Sequence, residues 1–406
     1  MSAPITPRRQ RVPLHPSTAG ATAVLPWLMA AHFVNDMYGN YLPALLPLLA
    51  DVHHLSLSRA GLLISLYTVT GSLLQPLFGY LADSGRLQPV SAVGLAMAGI
   101  GAGLLGLAPT YAALALVTMF HGMGTAAFHP QSSSLVHGLS GTRKATRMAV
   151  YIMAGQAGYA LSPLIAATVA VRAGLPWVMV TALPAVVLAL VMAALSPWKR
   201  PTPGSPLGRV RLRDDLRRNA RGLARLMVLI MSRSTLSYAM LALLPFLFKH
   251  RGVPATHGAA ALTVMLFAGA IGGVVGGYLS DRYGRRPILF ISFLVASPLF
   301  LGAIHTSGAA AMVFLALGGA VLFGSASLLT VEAQGLMPAH AGVAAGMMLG
   351  VSMGVGGLLV GPTSALAQAY GIIPVLTAVS LLPLPATLMT LSLTRRSEEP
   401  ATALAG

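Results

Sequence analysis

Cysteine is absent from the 406 residues. That excludes a disulfide framework and thiolate-held metal, and it leaves the redox compartment open. Charge is scarce as well: 9% of residues are charged, 9 of them acidic and 26 basic. Because a soluble domain carries about a quarter charged residues, a soluble globular protein is excluded. There is no Gly-x-x-x-x-Gly-Lys-Ser/Thr loop to cradle nucleotide phosphates, and no histidine pair spaced around a glutamate as in metalloproteases. His53-His54 reads as an exposed loop pair. No catalytic constellation emerges, so neither enzyme activity, nor a cofactor, nor a metal site is expected.

What remains is apolar. Hydrophobic residues make up 55%, with 44 Gly and 28 Pro and a mean hydropathy of +0.76. Apolar runs of helix length lie at about 24–50, 58–82, 89–108, 110–138, 146–172 and 175–196. They resume at about 223–248, 256–280, 287–305, 309–336, 341–370 and 372–394. At ~1.5 Å per residue each is long enough for a ~30 Å hydrocarbon core. The expectation is an all-α membrane protein of twelve transmembrane helices in two pseudo-symmetric six-helix bundles. Its parts are a cytoplasmic tail (1–23), an N-terminal bundle (24–196), a basic linker (197–222), a C-terminal bundle (223–394) and a second tail (395–406).

The formal net charge of +17 does not point to nucleic acid, because the basic residues sit at the ends of apolar runs. With both termini cytoplasmic, 21 of the 26 fall inside and 4 outside (Arg59, Arg172, Lys249, Arg251), leaving Arg233 within the seventh helix. That bias sets the orientation. The expected location is a plasma or inner membrane. Leu212, Leu216 and Leu223 among the arginines from Arg209 to Arg225 suit a helix lying on anionic lipid headgroups; a solvated linker fits equally.

The halves repeat. Gly79-Tyr80-Leu81-Ala82-Asp83 recurs as Gly277-Tyr278-Leu279-Ser280-Asp281, and Gly158 with Pro163 recurs as Gly357 with Pro362. The near-constant offset places a binding site between parallel halves. Small residues form stripes: Gly342, Gly346, Gly350 and Gly354; Gly269, Gly273 and Gly277; Gly155, Gly158 and Ser162. Such stripes let helix backbones approach closely.

Within the first run His32 and Asp36 stand one helical turn apart with Asn35 beside them. An ionisable group at the centre of a membrane helix costs roughly 2.5–3.5 kcal/mol on insertion scales, so it faces a bundle interior or a wet cavity. A histidine beside an aspartate exchanges protons near neutral pH. The alternative is polar glue between helices. Arg233 keeps its charge and suits an anion; paired with Asp36 it is equally a structural ion pair. His121 and His129, eight apart in the fourth run, Gln75 before Pro76, and Gln156 are further cavity candidates. Glu332 stands in the tenth run, and Pro43 and Pro47 are placed to bend the first.

Gly277-Tyr278-Leu279-Ser280-Asp281-Arg282-Tyr283-Gly284-Arg285-Arg286 resembles the cytoplasmic loop signature of the major facilitator superfamily. Its first-half copy, ending Asp83-Ser84-Gly85-Arg86, is degenerate. The resemblance implies a gating role for Asp83, Arg86, Asp281, Arg282, Arg285 and Arg286. It also implies that helices two and eleven, and five and eight, meet across the halves. His32-Phe33-Val34-Asn35-Asp36, Leu74 through Gly79, Gly122 through Pro130, Gly155 through Pro163, and Ala333-Gln334 through Pro338 resemble the fosmidomycin resistance branch of proton-driven exporters. Three positions depart from it: Gln131 replaces the branch's Glu, Gly335 replaces another while Glu332 appears nearby, and Arg233 replaces a Lys.

The resemblance implies secondary active export of a small anionic or amphiphilic compound, with protons as the coupling partner. Asp36, His32 and Glu332 would serve proton coupling. Arg233, Asn35, His121, His129, Gln75 and Gln156 would serve the substrate. Protonation of Asp36 would release Arg233 and shift the cavity. Uptake or export of a carboxylate or siderophore-like metabolite fits the same pattern, and a ligand-sensing receptor is a remote alternative.

Overall fold

The computed structural model describes residues 18–83, 89–139, 144–195, 212–337 and 341–393. Among them there is helix and no strand. Nine helical stretches are long and apolar enough to cross a membrane; other runs are divided or shorter.

The first run is divided. Helix α1 (Thr18–Met37) and helix α2 (Tyr41–His53) are separated by Tyr38-Gly39-Asn40. Pro43 has no N–H to offer the carbonyl of Gly39, so the α-helical ladder cannot pass through. The N–H groups at the break are satisfied locally and by a neighbour. Gly39 N–H donates to the Asp36 carbonyl at 2.9 Å, while Asn40 N–H donates to Ser162 Oγ at 2.9 Å. The break begins two residues after Asp36, in the next half-turn.

The second run divides likewise into α3 (Leu57–Leu73) and α4 (Gln75–Asp83), at Leu74 before the Gln75-Pro76 pair. The first half continues with α5 (Val90–Leu104), α6 (Tyr111–Leu139), α7 (Lys144–Ala173), a 3-10 helix (Leu175–Ala182) and α8 (Leu183–Leu195). The second half begins with α9 (Leu212–His250), which starts eleven residues before the apolar run expected from 223. The helix thus absorbs the end of the expected linker: Leu216 and Leu223 pack inward beside an arginine-rich face. Then follow α10 (Ala255–Tyr283), α11 (Arg285–His305), α12 (Gly308–Leu336), α13 (Ala341–Leu358), α14 (Val360–Tyr370), α15 (Ile372–Ser380) and α16 (Pro383–Thr390). Residues 1–17 and 394–406, residue 196 with 197–211 of the linker, and Arg86 lie outside the described residues.

The halves meet where the resemblance implies. Helix α3 lies along α13 and α14, and α7 lies along α10. Contact is tight at the end away from the arginine-rich loops. There Ser58 N–H donates to Gln368 Oε1 at 3.1 Å, Ser65 Oγ–H to the Gly357 carbonyl at 2.8 Å, and Lys249 pairs with Asp51 across the halves.

The glycine stripes divide by face. Gly272 and Gly276 seat α10 against Ala320 and Gly324 of α12. By contrast Gly273, Gly277, Gly350 and Gly354 have nothing within 4 Å of where a side chain would begin. These four permit close approach without a partner in this conformation.

Candidate functional site: a carboxylate between two imidazoles

Helix α7 packs on α1 because its small residues leave room. A Cβ on Gly158 would collide with the Phe33 carbonyl, and one on Gly155 would stand 2.5 Å from His32 Cε1 and 2.6 Å from Asp36 Oδ2. The same approach lays the Tyr151 ring on the His32 ring, with centroids 3.9 Å apart. It also brings His32 Nδ1 to 2.7 Å from the Tyr151 carbonyl. A carbonyl only accepts, so Nδ1 carries the hydrogen.

The other ring nitrogen, His32 Nε2, is 3.2 Å from Asp36 Oδ2. From α6, His129 Nε2 lies 3.5 Å from Asp36 Oδ1. Asn35 donates from Nδ2 to Asp36 Oδ1 at 3.0 Å and lies 3.5 Å from His129 Nε2. With Nδ1–H fixed, a neutral His32 would turn a lone pair toward the carboxylate. The contact is attractive only when a cation, in the simplest case a proton on Nε2, stands between them.

Asp36, Asn35 and His129 form part of the wall of a cavity of about 90 Å³, room for several waters. Asn40, Tyr67, Thr68 and Tyr159 complete much of the first-half wall, and Tyr238 and Leu241 of α9 contribute from the second half. The cavity therefore lies between the halves.

The residues expected at the site separate into two groups. His32, Asn35, Asp36 and His129 come together. His121 does not: at 3.6 residues per turn, eight residues leave it about 80° around α6 from His129. It is fully buried against Gly101 and Tyr67, and neither ring nitrogen has a partner among the described residues. Arg233 turns toward α12, where Nε donates to the Leu322 carbonyl at 3.3 Å and the guanidinium lies 5.4 Å from the Phe323 ring centre. The expected Asp36–Arg233 ion pair gives way to Asp36 with two histidines. Gln75 donates back to the Gly71 carbonyl at 2.9 Å, and Gln156 is exposed and outside the cavity wall.

Glu332 pairs with Arg285 at 2.9 Å, joining the end of α12 to the start of α11 away from Asp36. Asp281 and Arg282 are exposed and Arg286 half-buried; the side chain of Asp83 lies outside the described residues. Gln131, the departure from the branch pattern, accepts from Ser91 N–H at 2.7 Å and Ser91 Oγ–H at 3.1 Å. It thus caps the first turn of α5, a task that needs an acceptor and not a charge.

Sequence reasoning passed over Tyr67, Tyr151, Tyr159 and Tyr238. A signal was present, since a phenol within an apolar run must find a polar partner. Tyr151 finds Ser132 Oγ at 2.6 Å.

Residues 28–362 match the family model of the Major Facilitator Superfamily. The chain is 29% identical over 349 residues to the fosmidomycin resistance protein of Escherichia coli (strain K12), covering 82% of this chain and 84% of that one. It is 28% identical over 373 residues to the MFS-type transporter YfnC of Bacillus subtilis (strain 168), covering 89% and 91%. Among solved structures, a bacterial homologue of the human lysosomal transporter Spinster, inward-facing and unoccupied, matches with a TM-score of 0.75 at 16% identity over 93% of this chain and 98% of that one. The nucleoside transporter NupG matches with a TM-score of 0.74 at 15% identity over 91% and 98%. At such identities these two show the fold.

Proposed function

The chain belongs to the major facilitator superfamily, and from that premise we propose a proton-coupled secondary transporter that exports a small anionic or amphiphilic compound by alternating access. The observation that carries the reading is Asp36, flanked by His32 and His129, in the wall of a cavity shared by both halves. A proton between His32 Nε2 and Asp36 Oδ2 turns a repulsive contact into an attractive one. The helix break at Tyr38–Asn40, within a turn of Asp36, gives α1 a place to respond. Proton and substrate are coupled when each binds the two cavity orientations unequally.

Protonated imidazole at His32 or His129, with the amides of Asn35 and Asn40, supplies the positive field and donors for an anion. Export is the reading that fits the fosmidomycin resistance for which the Escherichia coli relative is named. Clasped contacts at one end and unpartnered glycines on α10 and α13 support a state open toward the arginine-rich end. That end is cytoplasmic under the charge bias, in a bacterial inner membrane. Asp281, Arg282, Arg285 and Arg286, with Asp83 and Arg86, act as the gate there, and the basic start of α9 rests on anionic headgroups.

Reconstitution into vesicles with an imposed pH gradient and labelled fosmidomycin tests the reading. Movement of label opposite to the proton flow, abolished by a protonophore, supports it; label flux indifferent to the gradient overturns it.

A further inference from the structure

We propose that His32, Asp36 and His129 form a binding site for one divalent transition-metal ion, a site the sequence reading did not foresee because its donors come from two helices. The donor atoms of the three residues lie within 4.8 Å of one another. A tetrahedral ion with bonds of ~2.1 Å sets its ligand atoms ~3.4 Å apart. Each imidazole already stands at about that spacing from one oxygen of the carboxylate, His32 Nε2 at 3.2 Å from Asp36 Oδ2 and His129 Nε2 at 3.5 Å from Asp36 Oδ1.

Three further features belong to metal sites. His32 gives its Nδ1–H to the Tyr151 carbonyl at 2.7 Å, the outer contact that fixes a ligating imidazole with its Nε2 lone pair directed inward. Asp36 is held by Asn35 at 3.0 Å. Asn35 is itself fully buried in the cavity wall, and its Oδ1 has no hydrogen-bond partner among the described residues. That unpartnered oxygen stands beside the cluster, ready for a water or ion.

Two imidazoles and one carboxylate suit zinc, cobalt or nickel better than magnesium or calcium, which take oxygen ligands. The fourth coordination position opens into the cavity, because Asp36 and His129 both line it. An anionic oxygen donor in the cavity completes the shell there. The inference does not depend on proton coupling or on export: a working exporter that binds no metal would overturn it alone.

The test is a titration of full-length, tag-free protein in detergent with Co²⁺, followed by visible absorption, and with Zn²⁺ by equilibrium dialysis. The expected result is saturable binding of one ion per chain with the intense bands of four-coordinate cobalt. Affinity falls by about tenfold or more in His129→Ala and Asp36→Asn, and is unchanged in a His53→Ala/His54→Ala variant. Absence of saturable binding by the unaltered protein, weak six-coordinate bands, or an affinity in His129→Ala and Asp36→Asn equal to that of the unaltered protein would overturn the assignment.

Discussion

His32 reaches Asp36 one helical turn on, Nε2 to Oδ2 at 3.2 Å, while its opposite nitrogen is committed to the Tyr151 carbonyl. The two nitrogens have separable tasks, and two substitutions divide them. His32→Asn keeps a donor near the Nδ1 position and removes the Nε2 contact to the carboxylate. Its melting free energy should stay within about 1 kcal/mol of the parent, while gradient-driven flux falls by about tenfold or more, equivalent to roughly 1.4 kcal/mol. His32→Gln, with a donor nearer Nε2, should retain more flux but lose about 1–3 kcal/mol by stranding the buried Tyr151 carbonyl. Thermal unfolding and vesicle flux measured side by side check both.

Gly155 is the residue that lets α7 close over this pair. Gly155→Ala drives a methyl to within 2.6 Å of both side chains, so α7 must retreat. The expected cost is about 1–3 kcal/mol of stability, with a fall in transport larger than the loss of folded protein explains. Wild-type flux per folded molecule would contradict the close approach.

How much of this was legible in the sequence differs between fold and site. Run lengths, the charge bias and the repeat of Gly79 through Asp83 at Gly277 through Asp281 carried the architecture, because membrane helices announce themselves by length and composition. The pairing of α3 with α13 and α14 came from the family resemblance. His32, Asn35 and Asp36 were visible because polar groups are rare in apolar runs. What could not be read was which direction a lone polar residue faces once twelve runs are available as neighbours. Arg233 faces α12 and His121 is sealed against Tyr67, and neither outcome follows from one helix alone. The tyrosines were hidden for a different reason: their rings satisfy an apolar pattern while their hydroxyls do polar work.

Lys249 joins Asp51 and the Pro47 carbonyl across the halves. Both side chains are substantially exposed, so the pair adds only about 0–1 kcal/mol to folding. Its effect falls on the balance between cavity orientations, since it breaks whenever that end opens. Lys249→Met should leave the melting temperature nearly unchanged and lower the yield of chemical cross-linking between cysteines introduced at Ser58 and Gln368. The natural absence of cysteine makes that measurement clean. An undiminished yield would show that the pair does not hold the end closed.

Gln131 accepts two hydrogen bonds from Ser91 where the related branch carries a glutamate. Gln131→Glu should therefore be tolerated in expression and flux. Gln131→Leu should destabilise by about 1–3 kcal/mol, because it leaves Ser91 donors buried without an acceptor. Urea or thermal unfolding in detergent distinguishes the two.

Asp36→Asn bears most directly on the account. The amide keeps the shape of the side chain and removes the group that takes the proton. In vesicles the variant should still exchange substrate down its own gradient, at a rate within about an order of magnitude of the parent, and should fail to concentrate it when a pH gradient is imposed. Accumulation against a substrate gradient by Asp36→Asn at the parent level would contradict the claim that this carboxylate couples protons to transport.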